Sequence, residues 1–426
     1  MGLQIIIVGA GVAGLTAAIS LRQAGHSVQI FEKSKFATEI GAALALSPNG
    51  AQVLTPLGFS LKRARARPID IWDIADGVSL KVLNSMDLSD SAKRFGFGTF
   101  AVHRVDMHNE LLRLAQGPEQ GNGKVVELNL SSRVIDANSE DGWIQLEDGS
   151  KHFADLIVGA DGIHSVIKPL VLGSLQVEAI PTGFSAFRFL TSTEKMRDDP
   201  VAVNLLKWKT TAAKTLVNPN DPIPERHMMW YDCQDGETQN FVGIHPTRPI
   251  PIGSDGKEDF KTAMLQDFDA YHPDIKHVIG ISDNISCWPL SIHRPLPTWI
   301  NAKMVLIGDA AHPMLPFGGQ GANQGIEDAG ALGCLLKGVD NTDDLSARLA
   351  TFEKLRIKRA SLIQTLSKVR VGKEKDVEGQ LQVYAEPPGS KVPGSFLERC
   401  AHAFSYNVLT ASNAALSASS LSTSSI

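Results

Sequence analysis

The chain has 426 residues, of which 20% are charged and 43% hydrophobic, with a formal net charge of -5. That length predicts two structural units, and the small net charge argues against nucleic acid or an anionic membrane surface as the main partner. The four cysteines (Cys233, Cys287, Cys334, Cys400) are scattered without a CxxC pair, which fits a reduced, cytoplasmic setting and offers no disulfide framework and no metal site.

In chain order, "LQIIIVG" reads as a buried strand: short, β-branched and ended by glycine. "AGLTAAISLRQAG" reads as a helix closed by Gly25, and "HSVQIFEKS" as a second strand. Together they have the roughly 30-residue span of a βαβ unit. Its turn is Gly9-x-Gly11-x-x-Gly14. Gly9 permits the tight turn, Gly11 leaves room for a pyrophosphate at the backbone, and Gly14 lets helix and strand pack closely. The helix N-terminus then presents its free amides and positive dipole end to the phosphates. Glu32 ends the second strand, where an acid meets a ribose hydroxyl and repels a 2′-phosphate. A secretory signal is set aside because no Lys or Arg precedes the apolar run, whose pattern turns helical within it. No other segment is apolar and long enough to span a bilayer, so no membrane is expected.

Two later stretches repeat the theme of an acid beside a glycine at a strand end. "FADLIVGADGIHSVIK" is an apolar strand, then Asp161-Gly162, then a helix start. "NAKMVLIGDAAHPMLPFGGQGANQGIEDAGAL" is a strand, then Gly308-Asp309, a Pro/Gly loop and a helix. Ligands of open α/β sheets bind at that carboxyl edge. The glycines of "FGGQGANQG" expose amides before a helix, which can stabilise charge developing on a flavin ring.

These pieces, with "HRVDMHNEL" around Arg104, stand in the order found in a known family. The chain resembles the single-component FAD-dependent aromatic monooxygenases, such as p-hydroxybenzoate and salicylate hydroxylases, and is most similar to their fungal, phenol-acting branch. The resemblance touches residues 5 to about 335 and is looser over 175–300. It implies an α/β fold: a Rossmann-like FAD-binding domain with a parallel sheet, an antiparallel-sheet substrate domain and a C-terminal helix. The expected organisation is FAD domain over 1–175, with 68–100 available to the substrate domain, then substrate sheet over 176–290. The FAD domain is completed over 291–340, followed by a helical region over 341–408. The resemblance implies FAD contacts from Gly9, Gly11, Gly14, Glu32, Ala45, Arg104, Asp161, Asp309, Gly321 and Ala322. Residues 318–323 are expected beside the isoalloxazine, and "EIGAALALSPNG" over it. His312 is read as a neighbour of Asp309.

No second βαβ fingerprint is present, so NADH or NADPH would bind transiently, without a Rossmann unit of its own. The implied reaction inserts one atom of O2 into an electron-rich, phenolic small molecule through a flavin C4a-hydroperoxide, in fungal secondary metabolism. Epoxidation, indole oxidation, and oxidase or dehydrogenase chemistry without oxygen insertion are the alternatives, and a monomer or homodimer is expected.

Over 175–300, "FSAFRFL" and "MMWYDC" alternate as sheet strands do. Arg188 lies among Phe184, Phe187 and Phe189, where an always-charged guanidinium needs a partner; a phenolate oxygen or a neighbouring acid would serve. Tyr231 offers a second hydroxyl or fills the core. By the resemblance, the pair holds the substrate phenolate. Trp208, Trp230 and Trp288 are candidates for a pocket lining or for core. "DDLSARLATFEKLRIKRASLIQTLSKVR" reads as a long helix whose basic residues form a solvated face. The Ser/Ala-rich end, 409–426, has little to bury and reads as a frayed, disordered tail.

Overall fold

The computed structural model describes residues 2–35, 43–118, 124–175, 178–253 and 256–423, without the side chains of 419–423. Residues 39–42 of the expected flavin-covering stretch therefore lie outside the described residues. The opening run forms the strand Gln4–Val8, with only Gln4 exposed. It pairs in parallel with Ser27–Phe31 on one side and Leu156–Gly159 on the other. Six strands form this sheet, in the order 300–301, 304–306, 156–159, 4–8, 27–31, 127–129. Near-continuous apolar sequence is what a strand covered on both faces requires. The helices Val12–Gln23 and Gly321–Leu336 pack on each other against it.

A second sheet has seven strands, in the order 286–292, 180–192, 238–246, 227–233, 213–217, 71–76, 82–87. It is antiparallel except where 213–217 runs parallel to 71–76. Strands Ile71–Asp76 and Val82–Asp87 thus come from the 68–100 segment, and the last strand of the sheet extends to Ile292.

Pairing decides which face each residue takes. One cross-strand row runs Phe189, Phe241, Trp230, Lys214. It turns to a separate buried cluster with Phe268 and Tyr271, under the helices Phe260–Asp267 and Pro273–Ile281. The next row runs Arg188, Val242, Met229, Thr215, Ile74 and faces the other way, towards the parallel-sheet domain.

The C-terminal end differs from expectation: Val408–Thr423 is a helix that packs against Gly321–Leu336. Its Ala/Ser composition is weakly hydrophobic but helix-compatible, and small side chains permit close approach. Val408 and Ser412 are buried, and a Cβ on Gly330 would stand 3.4 Å from Leu409. The expected solvated face is corrected in part: Lys354 and Lys358 are exposed as expected. In the helix Leu345–Leu366, Arg356 and Arg359 are buried and bound to acids of Gly321–Leu336. No described helix is long and apolar enough to cross a membrane.

Candidate active site

The first glycine-rich turn behaves as its spacing predicts. Gly9 has φ of +100°, and a Cβ there would stand 2.5 Å from the Ala160 carbonyl oxygen. A Cβ on Gly14 would stand 2.1 Å from the Gly9 oxygen. A Cβ on Gly11 would meet nothing within 4 Å, so this bare backbone faces open space. Glu32 holds the loop in shape: one carboxylate oxygen accepts from the Ala10 amide at 2.8 Å, the other from Ser34 at 2.8 Å.

Gly11 lines a cavity of about 390 Å³ between the two sheets, within the usual range for small-molecule sites. Two helices begin on it, and neither has a side-chain cap: Val12–Gln23 after Gly11, and Gly321–Leu336 after Gln320. The first-turn amides of a helix lack intrahelical acceptors, so both starts offer donors and a positive dipole end to the cavity. Gly319 (φ +60°) packs its Cα side against Ala45, whose carbonyl accepts from Asn323 at 2.8 Å. Ala45, Gly321, Ala322 and Arg104, the first residue of the helix Arg104–Gln116, all line the cavity.

Asp309 also lines it. Its side chain is open to the cavity but ringed by protein elsewhere, and this burial pushes its carboxyl above the usual range against the opposing pull of His312 and Arg104. Asp161 is different. One of its oxygens accepts from the Val166 and Ile167 amides, at 2.7 and 3.3 Å, so it organises the turn before Ile167–Leu172. Its neighbours Ala160 and Gly162 form the cavity wall.

An ion network behind the wall was not legible as such in the sequence. Asp328 accepts from the Gly308 amide at 2.9 Å and bonds His312 at 2.6 Å, while its other oxygen takes Arg356 Nε at 2.8 Å. Glu327 is bound by Arg356 and, at 2.8 Å, by both Arg359 Nε and a terminal nitrogen of the same guanidinium. Burial alone would raise the Glu327 carboxyl, but Arg359 and Arg356 hold it below its usual value. For Asp328 burial is likewise outweighed, by His312 and Arg356, and the carboxyl sits at about 2. The acid pair of "GIEDA" was the only signal available.

Arg188 reaches the cavity from the seven-stranded sheet. Burial lowers its guanidinium pKa, with Tyr231 opposing and Arg104 adding to the shift. Its buried Nε has no hydrogen-bond partner, and no ion pair to it exists among the described residues. Tyr231 lines the same wall, but its hydroxyl donates to the Ala43 carbonyl at 2.8 Å. That proton is committed to the backbone, so Tyr231 is not a free donor. Of the tryptophans, Trp230 points to the opposite face and stacks on Phe241, Trp208 is half-buried beside it, and Trp288 is 51% exposed at the sheet edge. The tryptophan on the cavity is Trp72, from a segment where sequence reasoning sought no pocket residue.

A family model described as "FAD binding domain" matches residues 2–367. The chain belongs to the FAD-dependent aromatic monooxygenases. It is 32% identical over 390 residues to an FAD-dependent monooxygenase, phomE', of Diaporthe leptostromiformis, covering 91% of this chain and 96% of that one. It is 33% identical over 368 residues to hispidin-3-hydroxylase of Neonothopanus nambi, covering 85% and 86%. A salicylate hydroxylase substrate complex shares the fold at TM-score 0.72 and 23% identity, covering 97% and 98%. The cofactor of this family of enzymes is FAD, and the residues present fit it: open space over Gly11 and two uncapped helix starts on one cavity.

Proposed function

We propose that this monooxygenase uses NAD(P)H and O2 to hydroxylate a phenolic small molecule whose ionised oxygen is held by Arg188. The overall balance is phenol plus O2, NAD(P)H and a proton giving hydroxylated product, NAD(P)⁺ and water. Bound FAD supplies the redox chemistry, accepting electrons from the nicotinamide and activating oxygen. Gly9, Gly11 and Gly14 would shape the turn that takes the pyrophosphate, and Glu32 and Asp309 would hold the sugar-like parts of the cofactor. Arg104, Ala45, Gly321 and Ala322 would border its ring. Asp161 acts indirectly, by holding the turn that Gly162 presents.

The observation that carries this reading is the unpaired guanidinium of Arg188 in a cavity walled by Val242, Met229, Leu290 and Leu315. A buried cation lowers the pKa of an opposing phenol and so raises the electron density of its ring. The apolar wall excludes water from the reacting atoms and strengthens that charge contact. Tyr231 can accept a hydrogen bond and shapes the slot. The fungal sources of the relatives named above support a role in fungal natural-product metabolism.

The test is substrate-stimulated NAD(P)H oxidation across phenols, indoles and olefins, with ¹⁸O2 and mass detection of product. Label in a phenol product is the expected result; turnover without label would mean oxidase chemistry. Arg188→Ala should keep FAD and lose phenol hydroxylation, and unchanged turnover would remove Arg188 from the site.

A further inference from the structure

Beside the main cavity, the same sheet face carries a narrow cleft of about 20 Å³ lined by Thr215, His227, Phe317 and Arg370. The two spaces share Trp72 and Met229 as walls. The cross-strand row explains their alignment. Arg188 opposes Val242, Val242 opposes Met229, Met229 opposes Thr215, and Thr215 opposes Ile74. Neighbouring strands lie about 5 Å apart, so the row carries the slot roughly 15 Å from the Arg188 backbone to that of Thr215. Arg188 lines the space at one end of this span and Arg370 the cleft at the other.

The far end of the row holds a second cation. Arg370 follows the helix Leu345–Leu366; its Nε is buried without a partner, and no hydrogen bond or ion pair to its guanidinium exists among the described residues. Tyr271 lies within electrostatic reach of Arg370 and of two acids, Asp221 and Asp76. Both acids are engaged elsewhere: Asp221 with Arg226 at 3.1 Å, Asp76 with the Val78 amide and the Ser79 hydroxyl. His227, 3% exposed, is held neutral by burial, its pKa at about 4, and supplies no negative charge. A cleft of this volume exceeds the roughly 10–15 Å³ that one water needs, yet is far too small for a ring. It suits a group the size of a carboxylate.

We propose that Arg370 is a substrate-binding residue, and that the substrate is a two-ended phenol: its phenolate at Arg188 and, along the row past Met229, a carboxylate-like acceptor at Arg370. This rests on the phenol reading above and adds the shape and second charge of the molecule. Charged hydrogen bonds of this kind discriminate by about tenfold or more when one partner is deleted.

The experiment titrates the FAD-loaded enzyme with two ladders of probes, reading the perturbation of the bound flavin spectrum. The acids are 4-hydroxybenzoate, 4-hydroxyphenylacetate, 3-(4-hydroxyphenyl)propanoate and 4-(4-hydroxyphenyl)butanoate. Each is matched with the alkylphenol of equal length, from 4-methylphenol to 4-butylphenol. One acid should bind at least about tenfold tighter than its partner. Arg370→Gln, with flavin content confirming the fold, should bring that ratio to within about twofold, and Arg370→Lys should keep part of it. Wild-type enzyme that binds acids no tighter than alkylphenols overturns the proposal, as does an Arg370→Gln enzyme that weakens both ladders equally. Alkylphenol binding without an acid preference would remove only the second end. Silence from every phenol would remove the phenol reading and this proposal with it.

Discussion

The parallel-sheet half and the cavity-facing row of the seven-stranded sheet treat buried charge in opposite ways. In the first, Glu327, Asp328, Arg356 and Arg359 close on one another and on the Gly308 amide. In the second, Arg188, and Arg370 from beyond the helix Leu345–Leu366, face cavities with buried Nε atoms that have no partner, while the buried pair of Lys214 with Asp73, at 2.6 Å, lies on the other face of the sheet. A closed network stiffens the loop that presents Asp309, and its worth lies in holding one geometry. An open guanidinium costs stability until a ligand completes it. The cofactor side is thus a finished cradle, while the substrate side is left for the ligand to complete.

The sharpest way to break that contrast is to open the closed network. Glu327→Ala leaves buried Arg359 without an acid and Arg356 with only Asp328 as its acid, and should lower stability by about 3–5 kcal/mol in urea unfolding with loss of flavin. Arg188→Ala should do the reverse, keeping stability and flavin while lowering phenol turnover by about 100-fold, measured as product formed per NAD(P)H.

The glycines sharpen the comparison within the cradle. Gly14→Ala drives a Cβ to 2.1 Å from a backbone oxygen and should destabilise the protein with or without FAD. Gly11→Ala meets only open space in the protein. It should leave the melting temperature of the FAD-free form within a few degrees, yet weaken FAD binding in a fluorescence titration. Equal effects of both substitutions would mean that Gly11 does not face the cofactor.

Acid should loosen both halves over one pH window, since burial also lowers His402, beside Arg359, to about 4. His227 and His293 are buried, and burial lowers both to about 4. Each is neutral in the folded state while its unfolded form takes up a proton near pH 6.5. The unfolded state therefore binds more protons, and stability falls as pH drops from about 6.5 to 4. The Asp328 contribution, with the carboxyl at about 2, is lost only below its unfolded value, as pH falls towards 2. A melting-temperature scan should fall between pH 6.5 and 4.5, and His227→Gln should flatten it. Smallest of all, Trp288→Ser at the exposed edge should change stability by no more than about 0.5 kcal/mol, while Trp230→Ala on the buried row should cost about 3–5 kcal/mol.

The opening βαβ unit, the Asp309 strand end and the uncapped glycine helix start were legible in the residues because backbone makes them. A turn with φ of +100° and a close approach where a Cβ would stand 2.1 Å from a backbone oxygen each demand glycine at a set spacing, and spacing is a one-dimensional quantity. The seven-stranded sheet followed different rules. Which of Trp72, Trp208, Trp230 and Trp288 meets the cavity depends on pairing partners and edge position, and a shift of one residue in register exchanges the two faces. The same holds for charge. Arg356, Arg359, Arg188 and Arg370 look alike in sequence, yet two are closed into ion pairs and two stand open, because only folding brings, or fails to bring, an acid within reach. The Ser/Ala end likewise became a packed helix once Gly330 and Val408 supplied a surface that its own composition does not announce.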